Sequence, residues 1–571
     1  MNDFPDIPQL PSVDWDVLIS GTGIKQSLLA VALSRAGKTV LQLDKNPYYG
    51  SSAAAFYSLS EVDAWAAKVN SGDEVGVTNA VVVSNVGEGG GCGSGGGYTL
   101  SLAPHLVYWH SSVLEILRRA ELTDGFSWHA VGSWWVYLTE EEVAVPRVAA
   151  GAGGVVGLAE VGVKAAKLAS AAGKKRSGWN KGRKKESAAK SALGGEASVG
   201  DKATQESGET TLRKVNNFRE VPCTFEDVAW SKDLTDKDRG RLGEFLRFVM
   251  KYNDSTDQKC ARIFQENRQT PLRTFLSATF PIPPFITTSI SSLTLLPPAP
   301  SEITLEEALP RLATYFSSLG KIPDVRSSAA LTIAYGGSAE LCQVLSRAAA
   351  ISGGINVLGR GVRSLCSNGG NNGNRKLEAQ LRSGETIYAD WAIGEASDLA
   401  KEVRSSDTRS MSRGIYVIET ELGWLFERKY KDENITPAAV VVVVPGGDDG
   451  APVYIIARSG VTGECPRSQC LLYAVTESPY GDMSAAIDKV LQTCSPLSKI
   501  LYSLQYTVVT PSPGVGAEDG VVVLDPLTQD IALQDDVLEE SLKIYEKIVG
   551  TREGFMDVSE EIRRMKEEME E

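Results

Sequence analysis

Gly21, Gly23 and Asp44 are the residues whose types and spacing could do chemistry, and that chemistry is the holding of a dinucleotide. In such a site the first glycine permits a tight turn after a strand. The second lets the backbone approach a pyrophosphate, and a third allows close packing of the following helix. An acidic residue about 20 positions on takes a ribose hydroxyl, and Asp44 stands about there. The third glycine is absent: Gln26 occupies its place and brings a long side chain into the close approach. On these residues alone, a bound dinucleotide and a turn kept only for its shape are both open. No GxxxxGK[ST] phosphate loop occurs. Eight scattered cysteines without a CxxC pair, and three histidines, give no zinc-ligand spacing, so no metal is expected.

The elements that must position these residues follow from apolar patterning. Val17 to Ile19 reads as a strand, and Thr39 to Leu43 as a second strand. Leu28, Leu29, Val31, Ala32 and Leu33 give the helix between them its buried face. Asn46-Pro47-Tyr48-Tyr49-Gly50 then places two aromatics in a turn. Tyrosine gives large contact area at low entropic cost, so Tyr49 suits a protein contact, while Tyr48 is expected to pack inward. A second glycine-marked block starts with an extended Leu331 to Ala334 and turns at Gly336-Gly337. A helix capped by Ser338 follows to about Ala350, and after Gly353-Gly354 a strand returns over Ile355 to Leu358. Glu340, Gln343 and Arg347 stand at i, i+3 and i+7, on one face of that helix.

Between these blocks, residues 126–138 are β-prone and 224–322 largely helical. Leu242, Phe245, Leu246 and Val249 form one apolar face, with a cap near Thr235 or Asp236. Residues 304–320 read as a further helix, ending at Gly320. Residues 376–393 form a hairpin-like unit, AAVVVVVP, PVYIIARS and QCLLYAVT are strands, and Asp535 to Val549 is an amphipathic helix before a charged tail.

Composition excludes some functions. A net charge of −14 opposes whole-molecule attraction to nucleic acid. No apolar run reaches the roughly 18 residues needed to span a bilayer. The acidic, Pro-containing start is unlike a secretory signal, and scattered thiols suit a reducing cytosol. Residues 151–212 are rich in Ala, Gly, Ser and Lys and read as a disordered, solvated linker. Their basic runs, Lys174-Lys175-Arg176 and Arg183-Lys184-Lys185, leave room for a nuclear fraction or weak contact with anionic lipid.

The sequence resembles the superfamily of Rab GDP-dissociation inhibitors and Rab escort proteins. Three blocks carry the resemblance: DVLISGTGIKQSLLAVALSRAGKTVLQLDKNPYYG, YTLSLAPHLVYWHSSVLEILRRAELTDGFSWHAVGSWWVY, and SLGKI with AYGGSAELCQVLSRAAAISGGINVLGRGV. Two departures stand out. Gly50-Ser51 replaces a double glycine, and the turn between Tyr335 and Glu340 is one residue longer. The resemblance implies an α/β, flavoprotein-like fold: a multi-sheet domain I with a Rossmann-type βαβ start, and a smaller, mainly helical domain II. The expected division is 1–150 for the first part of domain I, 151–212 for the insert and 213–322 for domain II. Residues 323–534 would form the second part of domain I, and 535–571 the C-terminal helix and tail.

The same resemblance implies a protein without cofactor or catalytic residues that binds GDP-loaded Rab GTPases. The binding platform falls on Tyr49, Glu340, Gln343 and Arg347, with apolar support from Ile355 and Val357. Gly21, Gly23 and Asp44 become relics of the dinucleotide fold. Length and insert resemble the escort branch. Such a protein presents a newly made Rab to the geranylgeranyltransferase heterodimer for prenylation of its C-terminal cysteines. It then touches a membrane transiently as the Rab is delivered. The rival readings are a dissociation inhibitor that recycles prenylated Rabs and an FAD-dependent oxidoreductase.

Overall fold

A computed structural model describes residues 14–85, 97–139, 213–222, 224–230, 234–296, 303–367, 377–400, 408–446, 450–511, 517–560 and 563–564. The basic insert at 151–212, most of the glycine-rich stretch 84–97 and most of the charged tail lie outside these residues.

The chain opens as β1 (Trp15–Ser20), α1 (Ile24–Arg35) and β2 (Val40–Leu43). β1 and β2 pair in parallel, from Val17 opposite Val40 to Ser20 opposite Leu43. Both strands are nearly continuous apolar runs because both faces of a parallel sheet are covered. α1 differs from expectation: every residue from Ile24 to Ser34 is buried, not one face. The Ser338–Ile351 helix packs on it from one side and the Asp536–Val549 helix from another.

β1 and β2 belong to an eight-stranded sheet. Its order is Ile355–Val357, β2, β1, Thr386–Glu395, Leu377–Leu381, Val362–Ser367, with Val521–Leu524 beside the end of Thr386–Glu395 and Ala517–Glu518 paired to Val521–Leu524. The hairpin over 376–393 is present as the antiparallel pair Leu377–Leu381 and Thr386–Glu395. A second sheet of eleven strands runs from the edge strand Val77–Ser84 to Leu106–Tyr108. It contains the three expected strands as Ala439–Val444, Val453–Ser459 and Cys470–Thr476, and the β-prone stretch as Trp128–Tyr137.

Described residues from Phe225 to Ser318 are helical in six segments. Thr235 caps the Asp236–Lys251 helix through a reciprocal capping box with Asp238, and Thr304 caps Leu305–Ser318 in the same way with Glu307. Each box satisfies helix-end donors that would otherwise be orphaned. These helices share one continuous core with the larger sheet. The rings of Trp134 on the sheet and Tyr315 on a helix meet edge-on at 5.0 Å. Among the described residues no helix is long and apolar enough to cross a membrane.

Candidate functional site

The glycine turn between β1 and α1 has the backbone of a dinucleotide site, with Gly21 at φ 97°. Its front is filled by the chain itself. A Cβ added at Gly23 would lie 2.7 Å from Gln26 Oε1, and one added at Gly21 would lie 2.7 Å from Asp398 Oδ2 and 3.0 Å from Gln26 Nε2. Gln26 and Asp398 are both buried, and the Gln26 amide nitrogen has no hydrogen-bond partner among the described residues. Lys45 pairs with Asp398 at 3.1 Å. Burial raises the Asp398 carboxyl from its ordinary value, and Lys45 and Arg382 pull it back down. A pyrophosphate on this turn would meet an amide side chain and a carboxylate in the space it needs. The residues do not fit a dinucleotide.

Asp44 is spent in the same internal manner. Its Oδ2 accepts from the Thr22 backbone N–H at 2.9 Å, the Thr22 hydroxyl at 2.6 Å and the Ser51 hydroxyl at 3.1 Å. Its Oδ1 accepts from the Asn46 N–H at 2.8 Å. Thr22 Oγ1 in turn accepts from the Gly50 N–H at 3.0 Å. The carboxylate that would hold a ribose instead clamps both ends of the Asn46–Gly50 turn. Burial pushes the Asp44 carboxyl up, and the hydrogen bonds from Thr22, Asn46 and Ser51 oppose that rise.

That clamp sets the tyrosines. Tyr48 packs inward as expected, its ring edge-on to Phe56 at 5.4 Å and its hydroxyl donating to Glu74 Oε1 at 3.2 Å. Tyr49 is half-buried. The turn is tied to the returning strand, since the Gly359 N–H donates to Asn46 O at 2.9 Å and the Arg360 N–H to Asp44 O at 2.7 Å. Ile355 and Val357 lie on that strand opposite Leu41 and Leu43 of β2 and are half-buried against the smaller sheet's core.

The Ser338–Ile351 helix begins one residue away from the expected cap. Gly337, at φ 58°, is the N-cap. Ser338 is already helical, and its hydroxyl is 2.6 Å from Nδ1 of buried His105. Burial, with Arg413 and Arg458 nearby, pushes the His105 pKa down to about 3. The inward face carries Leu341, Cys342, Leu345, Ala348 and Ala349. The outward face carries Glu340, Gln343 and Arg347, the first two half-buried and Arg347 exposed. No hydrogen bond or ion pair joins Arg347 to another described residue.

Tyr57 belongs to this face and is missed by sequence reasoning. Its hydroxyl accepts from Gln343 Nε2 at 2.9 Å and donates to Glu340 Oε1 at 3.3 Å, so one oxygen holds two of the three polar residues. The Tyr57 N–H donates to Glu61 Oε2 at 2.7 Å, and Ser58 caps the Leu59–Ser71 helix. The Ser58-x-x-Glu61 capping signal in the sequence could have fixed the backbone there. It carries no sign of the long-range contact. Asn356 Nδ2 donates to Ser346 O at 2.6 Å, which ties the Ile355–Val357 strand to the helix beside Arg347.

Residues 12–158 match the family described as GDP dissociation inhibitor. A Drosophila melanogaster protein named Rab proteins geranylgeranyltransferase component A is 23% identical over 92% of this chain and 86% of its own length. A Saccharomyces cerevisiae protein of the same name is 31% identical over 21% of this chain, a match spanning 20% of the relative. The solved structure of a Plasmodium falciparum Rab GDI superposes with a TM-score of 0.61 over 94% of this chain and 98% of that one, at 16% identity. The fold is therefore shared with that protein, and the α/β assignment stands.

Proposed function

We propose that this chain is a Rab escort protein, a non-catalytic component that binds newly made GDP-bound Rab GTPases. It presents their C-terminal cysteines to the geranylgeranyltransferase and then carries the lipidated product to a membrane. The observation that carries the reading is the outward face of the Ser338–Ile351 helix. Arg347 is unpaired there among the described residues, and Glu340 and Gln343 are held ready by Tyr57. The glycine turn before α1, by contrast, is crowded by the chain's own Gln26 and Asp398 side chains. The name and 92% coverage of the Drosophila relative support the escort branch.

In this reading Tyr49, Ile355 and Val357 supply apolar area around the polar face. The GDP sits in the bound GTPase, so the chain itself needs no phosphate loop. A geranylgeranyl group must be shielded from water, at about 0.8 kcal/mol per CH₂. The helices between 224 and 322 are the proposed shield and transferase contact, and the protein works in the cytosol.

The test is reconstitution from purified chain, unmodified GDP-bound Rab, transferase and lipid donor. Prenylation should depend on adding the chain. Prenylation at the same rate without it would reject the escort role and leave the recycling of already lipidated Rabs as the function to assay.

A further inference from the structure

Tyr335 stands at the N-terminal end of the same helix in an uncommon conformation. Its φ is 63°, and the Gly336 N–H donates to Ala334 O at 2.9 Å, which makes Tyr335 the centre of a γ-turn. Gamma-turns of positive φ are rare and strained for a residue with a Cβ. Core packing does not explain the strain, because the Tyr335 side chain is 51% exposed. The ring nevertheless has a seat. Gly463, itself at φ 76°, lies under it, and a Cβ there would be 2.7 Å from Tyr335 Cε1. Val461 belongs to the same short turn, Gly460–Thr462, and is 62% exposed.

A strained residue and a glycine seat therefore hold one aromatic ring outward, with an exposed aliphatic residue in the adjoining turn. Strain of this kind persists where the surroundings impose it and clusters at functional positions. The patch is continuous with the face described above. Gly336, the residue after Tyr335, borders that face: a Cβ placed there would lie 3.3 Å from Glu340 Cγ and 3.3 Å from Ala55 Cβ, two residues before Tyr57.

We propose that Tyr335 and Val461 form an apolar extension of the recognition face and are covered by the same GDP-bound GTPase that engages Glu340, Gln343 and Arg347. This rests on the reading of that face as the GTPase platform. A rigid, pre-set ring suits a folded partner, since little side-chain freedom remains to be lost on docking. Continuity with the polar face selects the GTPase over a second copy of the chain or the transferase.

The experiment measures the dissociation constant for purified GDP-loaded Rab, with thermal unfolding in parallel. Tyr335→Asn keeps a residue type that tolerates positive φ and removes the ring. It should weaken binding about tenfold with an unchanged unfolding midpoint, and Val461→Ser should weaken it by a smaller factor. Tyr335→Phe should bind almost as wild type. If Arg347→Ala loses affinity while Tyr335→Asn and Val461→Ser stay within about twofold of wild type, the platform stands and this extension falls. If Arg347→Ala is silent too, the platform reading itself falls. If Tyr335→Asn leaves the Rab constant unchanged but slows transferase-dependent prenylation, the patch belongs to the transferase and the proposal is overturned. Should Tyr335→Asn fail to fold, Val461→Ser decides: an unchanged constant rejects the extension.

Discussion

The glycine turn before α1 and the outward face of the Ser338–Ile351 helix use similar polar chemistry to opposite ends. In the turn, Asp44 accepts four hydrogen bonds from its own chain and Asp398 pairs with Lys45. On the helix, Arg347 has no partner among the described residues, and Tyr57 positions Glu340 and Gln343 while leaving them at the surface. A buried polar group with all its partners inside the chain has no bond left to offer another molecule. An exposed one without partners is free to gain them from another molecule. The difference predicts that substitutions in the turn change stability and substitutions on the helix change binding.

The largest effect is expected in the turn. Asp44→Ala strips the acceptor from Thr22, Asn46 and Ser51 in a buried setting and should lower the unfolding free energy by about 3 kcal/mol in urea titration. A loss under about 1 kcal/mol would show that the clamp is incidental. Next comes Arg347→Ala, with a loss of about 2 kcal/mol in affinity for GDP-bound Rab, roughly 30-fold, and no change in unfolding. A variant that unfolds more readily while binding normally would reverse the contrast between the two regions.

Acidification acts beneath the helix. His105, beside Ser338, titrates near 3 in the folded chain and near 6.5 when unfolded. The unfolded state therefore binds more protons between these values. The contribution of neutral His105 is complete above about 6.5 and is lost progressively as the pH falls toward 3. From pH about 7 to about 5.5 this amounts to about 1 kcal/mol. His105→Asn should flatten that part of the stability–pH curve, and an unaltered slope would remove His105 as its source.

Much of this contrast is legible in the sequence. The β1-α1-β2 unit announces itself through short apolar runs and glycines, and Gln26 at the third glycine position already signals crowding. The cap expected near Thr235 or Asp236 is local and readable for that reason, and it falls on Thr235. What fails is what depends on distant chain. Asp398 fills the turn from a segment whose backbone carbonyl accepts from Ser20, 378 residues away, and no local pattern encodes that meeting. The all-round burial of α1 escapes a periodicity argument, because periodicity reveals a face only where the opposite side meets water. Ser338 has the right type for a cap, yet buried His105 claims its hydroxyl and leaves the cap to Gly337.

Tyr57 is the sharpest case, because it contacts Glu340 across 283 residues and sits on the boundary between the two behaviours. It is 46% exposed, so its hydroxyl belongs to the surface, yet its hydrogen bonds are internal. Tyr57→Phe removes only the oxygen. Because Glu340 and Gln343 are half-buried and water reaches them, the fold should lose less than about 0.5 kcal/mol. Binding should suffer more, since the two side chains are then less ordered before docking, and full immobilisation of even one such side chain costs about 0.5–1.5 kcal/mol. The expected result is a three- to fivefold weaker Rab constant, about 1 kcal/mol or less, with an unfolding midpoint close to wild type. An equal loss in stability and binding would place Tyr57 with Asp44 as a clamp. A tighter Rab constant would mean that the Tyr57 hydroxyl competes with the partner for Glu340 and Gln343.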